Sequence, residues 1–230
     1  MPTSGKILRY REDLTLEEMQ EKLQGYEYVL NVDDGEYQGD LVSNIEHLMI
    51  GDDELAGLFR FDTLTAVHHR SGVKVFAKTT DAPFIFLKYE GEILLVVRAK
   101  KSIANSVANS LSMILHGELG TITEITLDSG ALEAFCSRAE TTKVLLLQDL
   151  TIPNLNKLTL YGADVLQTDL HGEFRGEGAP HYFVAKTKSG HTVGIVDDAS
   201  VTMFDSVDSS QYQAFLEEEI FPMLRGRAWT

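Results

Sequence analysis

Seven histidines, one cysteine and two segments of opposite charge are the residues of this 230-residue chain that could do chemistry. His171, His181 and His191, with Glu173 and Asp197 or Asp198, form the one set whose types suit a metal or acid–base site, although their spacing follows no recognised signature. His171-Gly172-Glu173 matches the H-x-E of zinc deaminases, but that chemistry needs a downstream C-x-x-C and Cys136 is the only cysteine. His68 and His69 are adjacent in a strand-like segment, so they point to opposite faces and cannot share one ligand. Asp33, Asp34, Glu36 and Asp40 offer hard oxygen ligands, yet Val32 breaks the alternation a calcium loop requires, and a solvated acidic turn is the simpler reading. Cys136 falls on an apolar helical stripe, where a thiol packs and does not react. No phosphate loop, H-E-x-x-H, G-x-S-x-G elbow or dinucleotide fingerprint is present. We therefore expect no metal and no cofactor, and the sequence leaves open whether the chain catalyses a reaction.

Charge is the strongest global signal. The chain carries 20 basic and 35 acidic side chains, a net charge of -15. Residues 12–63 hold 15 acidic and 2 basic side chains, whereas residues 64–101 hold 3 acidic and 7 basic ones. Two positive sites follow. Lys74, Phe76, Lys78 and His69 would share one face of a strand pair and make a cationic interaction surface with an aromatic centre. Arg98, Lys100, Lys101 and Ser102 lead into a helix whose free N–H groups favour an anion, which makes them a candidate anion-binding junction. The competing reading is that the acidic first third covers the basic strands within one fold.

These residues must be positioned by elements that the pattern outlines. Thr15 and Glu18 form a capping box before Leu16, Met19 and Leu23, which predicts a short helix, and Tyr26–Val32 predicts a strand. Leu41, Ile45, Leu48 and Met49 recur at helical spacing and predict a second helix ending near Gly51. Between Leu58 and Lys101, turn signals at Ser71-Gly72, Asp81-Ala82-Pro83 and Glu90-Gly91 predict a meander of four antiparallel strands. With a Ser71-Gly72 turn, Arg70 opposes Val73, and Ala66, His68, Val75 and Ala77 form a small, core-like face opposite the basic one.

Ser102–His116 is the clearest helix, with Gly117 as its stop; its Asn105, Ser106, Asn109, Ser110 and Ser112 are polar but uncharged, as in a face packed close to a neighbour, with a ligand-facing surface as the alternative. A strand at Ile122–Leu127, a helix at Ser129–Ala139 and a strand at Lys143–Leu147 suggest a βαβ-like middle. Pro153 suits the start of a short helix through Leu160, and residues 171–180 read as a glycine-rich functional loop. Strands at His181–Thr187, His191–Val196 and Val201–Ser206 precede a closing helix that buries Tyr212, Phe215, Leu216 and Ile220 and ends near Pro222. The expected class is α+β, with an antiparallel meander over 58–101, a βαβ-like middle and a C-terminal antiparallel hairpin group closed by a helix. The expected division is into residues 1–120 and 121–230, or one continuous domain.

The longest apolar runs fall far short of a membrane span, the polar start lacks a signal-peptide core, and a lone cysteine suits a reducing compartment, so a cytoplasmic location without membrane contact is expected. The favoured role is a non-catalytic interaction or regulatory module that docks a protein partner or a second copy through its charged surfaces. The alternative is an enzyme or sensor for a phosphorylated small molecule or nucleic-acid end, with Lys100, Lys101 and Ser102 on the anion and His171, His181 or His191 nearby. Single-stranded nucleic acid on Phe76, Lys74 and Lys78 is possible in charge terms but disfavoured by the net negative charge.

Overall fold

The structure is a computed structural model, and it describes residues 2–226. The fold is α+β, with twelve strands in extensive antiparallel order and five α-helices among the described residues. The chain divides into two compact units, Ile7–Thr123 and the chain on either side of it, up to Lys6 and from Glu124 on.

The Ile7–Thr123 unit takes the second half of strand β1 (Thr3–Tyr10), helix α1 (Leu16–Leu23), strands β2 (Glu27–Asp33), β3 (Gln38–Ile50), β4 (Glu54–His69), β5 (Gly72–Tyr89) and β6 (Glu92–Val97), helix α2 (Lys101–His116) and most of β7 (Ile122–Glu124). Its strand order is β2-β3-β4-β5-β6-β1. One sheet face carries Leu55, Phe59, Phe84 and Phe86, which pack with Leu16, Met19 and Leu23 of α1 and Val107, Leu111 and Leu115 of α2. α1 starts as its capping box dictates: Glu18 N–H donates to Thr15 Oγ1 at 3.2 Å, and Thr15 N–H donates to Glu18 Oε2 at 2.8 Å. α2 ends at Gly117, which takes the left-handed conformation at φ 74°. Gly57 is required by the core, since a Cβ there would lie 2.7 Å from the ring tip of Phe84.

Three sequence expectations fail in this unit. The helix predicted over Leu41–Met49 is the strand β3. Its register slips between Glu46 and Met49, where His47 adopts φ 52°, and this bulge returns both Ile45 and Leu48 to the core face. A spacing of three that reads as helical is therefore produced by one extra strand residue. The meander has three strands from Glu54 to Val97, because Asp81-Ala82-Pro83 is no turn and β5 runs through it. Pro83 is tolerated because it lies one residue beyond the β5–β6 ladder, which ends at Phe84 and Val97, so its missing N–H interrupts no ladder bond. The tight turn is Arg70-Ser71, with His69 opposite Gly72. That shifts the expected register by two residues and leaves every face assignment intact. The sequence also hid β1, whose Ile7, Leu8 and Tyr10 are buried beside charged neighbours.

The other unit contains α3 (Ser129–Arg138), β8 (Thr141–Gln148), β9 (Lys157–Tyr161), α4 (Asp169–Phe174), β10 (Ala179–Lys186), β11 (Thr192–Val196), β12 (Ser200–Met203) and α5 (Ser209–Phe215). Its strand order is β1-β12-β11-β10-β8-β9. The C-terminal antiparallel group, β10 to β12 followed by α5, is present as the pattern indicates. The βαβ-like middle is not: β7 pairs with β1, and β8 runs antiparallel to both β9 and β10. The helix expected from Pro153 to Leu160 is replaced by a turn and β9, where Leu158 and Leu160 alternate with polar residues opposite Leu147 and Leu145. Of the glycine-rich segment 171–180, residues 171–174 are helix and 179–180 are strand. Pro222 does not end the helical path, because a π-helical turn at Leu216–Ile220 and a 3₁₀ segment at Phe221–Gly226 continue it.

Lys6 is completely buried and donates to Glu124 Oε1 at 2.6 Å and Asp198 Oδ2 at 3.2 Å, which ties β1 to β7 and to the β11–β12 turn.

Candidate interaction surface

The β4–β5 hairpin outgrows the sheet that carries it. The β3–β4 ladder stops at Ser43 and Phe61, and the β5–β6 ladder stops at Phe84 and Val97, but β4 and β5 stay paired from Asp62–Thr79 out to His69–Gly72. Beyond Phe61 the ladder has two strands, β4 and β5, among the described residues. β-Branched and aromatic residues hold the ladder locally, and the two-residue turn at Arg70-Ser71 closes it. The small face expected to be core is therefore not buried: Ala66 and His68 are exposed, and Val75 and Ala77 are half-buried.

At its base the ribbon is braced by one arginine. Arg60 on β4 donates Nε to Asp81 Oδ1 at 2.7 Å and Nη1 to Glu46 Oε2 at 2.8 Å, which joins β3, β4 and β5 on the sheet face away from the helices. The pair holds the Asp81 carboxyl below the usual carboxylate range.

On the outer ribbon, the register places Thr65, Val67, His69, Lys74, Phe76 and Lys78 on one face, continuous with the helix-packed face of the sheet. Phe76 is 44% exposed and Val67 42%. Residues 63–79 contain Arg70, Lys74, Lys78, His68 and His69 and no acid. Among the described residues, Arg70, Lys74 and Lys78 make no ion pair. Among the described residues no carboxylate of the acidic first third forms an ion pair with them, and several are engaged locally. Asp34 accepts from the N–H groups of Glu36 and Tyr37, Asp40 accepts from Asn31 Nδ2, and Asp62 accepts from Thr79 Oγ1. The turn bonds to Asp34 depress its pKa.

The Arg98, Lys100, Lys101 and Ser102 junction is also assembled, at the start of α2. Lys100 is the N-cap residue and no side chain caps the helix. Arg98 is half-buried and, like Lys101, already has an interaction partner; the Ser102 carbonyl accepts from Ser106 Oγ. The histidines of the other unit have separate settings: His181 Nδ1 lies 2.9 Å from Asp197 Oδ2, and His191 Nδ1 lies 3.7 Å from Asp205 Oδ2. Among the described residues no three His, Cys, Asp or Glu side chains are grouped so as to hold a metal ion.

Each unit also carries a concavity. The uncharged face of α2 contributes Asn109, Ser110 and Met113 to an open groove of about 480 Å³ shared with Tyr28 and Phe59. In the other unit, Cys136, Leu145, His171 and Arg175 line a cavity of about 260 Å³. Burial pushes the Cys136 thiol up to about 12, so it lines this cavity as a neutral group. Among the described residues no helix is long and apolar enough to cross a membrane. No known protein family matches the chain, and no curated protein matches it in sequence.

Proposed function

We propose that this chain is a non-catalytic cytoplasmic docking module, with a regulatory or assembly role, whose β4–β5 ribbon grips an acidic protein segment. The observation that carries this reading is a ribbon exposed on both faces, with Lys74 and Lys78 flanking the exposed Phe76, Arg70 in the turn, none of the three in an ion pair among the described residues, and no acid between residues 63 and 79. A protein partner is favoured over nucleic acid because Val67 and Phe76 stand in water beside Lys74 and Lys78 on the same face, an apolar area that a protein surface covers. The phosphate-sensor alternative has less support, because Arg98 and Lys101 are already engaged and His181 and His191 lie beside different carboxylates, Asp197 and Asp205.

The test is binding of a fluorescent glutamate-rich peptide to the full chain. Binding is expected to weaken with salt and to disappear in Lys74→Glu with Lys78→Glu. Undiminished binding in that variant would refute the reading, and a preference for a single-stranded oligonucleotide over the peptide would replace it with the nucleic-acid reading.

A further inference from the structure

The two hairpins at this end of the Ile7–Thr123 unit have opposite charge but face opposite ways. From the β2–β3 and β3–β4 registers, Tyr28, Leu30, Leu41 and Ser43 share the helix-packed face with Phe59, while Glu27, Asp33 and Asp40 lie on the outer face. Along the β4–β5 ribbon the assignment is reversed, with Lys74 and Lys78 on the helix-packed face. Residues 27–40 hold five acids and no base, and residues 63–79 hold three Lys or Arg and no acid. Both hairpins run off the sheet in the same direction, because β3 and β4 are antiparallel and their ladder ends at Ser43–Phe61. Neighbours in one molecule thus present their charges on opposite faces, and no ion pair joins them among the described residues. The two faces that would meet also leave apolar side chains in water: Val29 on the outer face of β2, and Val67 and Phe76 beside Lys74 and Lys78 on the ribbon.

We infer that the acidic segment gripped by the ribbon is the β2–β3 hairpin of a second copy of this chain. A two-fold axis between the hairpins lays each ribbon's Lys74–Phe76–Lys78 face over the outer, acidic face of the partner's hairpin, so one dimer contains two identical contacts. The positive and negative surfaces that cannot meet within a molecule meet between molecules. The apolar residues supply the buried centre and the charges fix the pairing. This inference rests on the docking role proposed above and names the partner.

The experiment is sedimentation equilibrium of the full chain and of two charge-reversed variants, Lys74→Glu with Lys78→Glu and Asp33→Lys with Asp40→Lys, with circular dichroism confirming that each is folded. The parent chain is expected at twice the monomer mass in about 0.1 M salt and at the monomer mass in about 1 M salt, where the screening length falls to about 3 Å. Each variant alone is expected to be monomeric. An equimolar mixture of the two is expected to return to twice the monomer mass, because in the mixed pair one contact has both charges reversed and the other has neither. A monomeric parent at low salt, a dimer that survives high salt unchanged, a variant that remains dimeric, or a mixture that stays monomeric would each overturn the inference. The glutamate-rich peptide separates the two claims: a monomeric parent that still binds it through Lys74 and Lys78 rejects self-association alone, and one that does not bind it rejects both.

Discussion

Replacing Lys6 by methionine tests how much of the fold depends on a single buried charge. The Lys6 side chain has 0% exposure, Asp198 has 11% and Glu124 has 51%. Methionine keeps the length and apolar packing of the lysine stem, so the change chiefly withdraws the ammonium. The two carboxylates respond differently. Glu124 is half in water, so losing its ion pair costs about 0–1 kcal/mol. Asp198 is held in place by the Ser200 N–H, which donates to its Oδ1 at 3.0 Å, and it cannot turn to bulk solvent. Removing one partner from a buried pair costs about 3–5 kcal/mol, and the small residual exposure of Asp198 places the expected loss near the lower figure, about 3 kcal/mol. Urea unfolding followed by far-ultraviolet circular dichroism reads this as a lower midpoint with an unchanged slope. The double variant Lys6→Met with Asp198→Asn should recover most of the loss, because neither charge is then buried. A loss below about 1 kcal/mol in the single variant, or no recovery in the double, would refute the assignment of a stabilising role to this pair.

Three further outcomes follow from individual contacts. Gly57→Ala should cost about 1–3 kcal/mol in urea unfolding, since its Cβ meets Phe84, a ring that is itself buried. Asp81 has a folded pKa below its ordinary value because of Arg60, so its contribution to stability is present above the unfolded pKa and is lost as pH falls through the folded one. Carboxyl NMR titration should show that depressed midpoint, and Arg60→Ala should return it to the ordinary range. Cys136, buried with its pKa pushed up to about 12, should resist a thiol-specific reagent at neutral pH in the native chain and react promptly in denaturant; rapid native labelling would contradict its placement.

Local chemistry was legible in the sequence wherever neighbouring residues supply their own partners. The Thr15–Glu18 capping box, the Gly117 stop, the α2 stripe and the inward Leu132, Phe135 and Cys136 depend on contacts within a few residues, and all are present. The composition of the ribbon was equally legible: its cations, its lack of acids and the two sets of side chains on its faces follow from alternation, which survived a two-residue error in register. Non-local pairing decided the rest. β3 reads as a helix until β4 imposes a bulge at His47, Asp81-Ala82-Pro83 reads as a turn until Arg60 and the end of β6 make it a strand, and Lys-Ile-Leu-Arg-Tyr reads as a polar start until Glu124 and Asp198 bury its lysine. Sequence determined which charges and apolar groups the two hairpins carry. Only the tertiary structure decided that the ribbon extends past its supporting strands and that the acidic hairpin beside it faces the other way, because those facts depend on where ladders end between residues far apart in the chain.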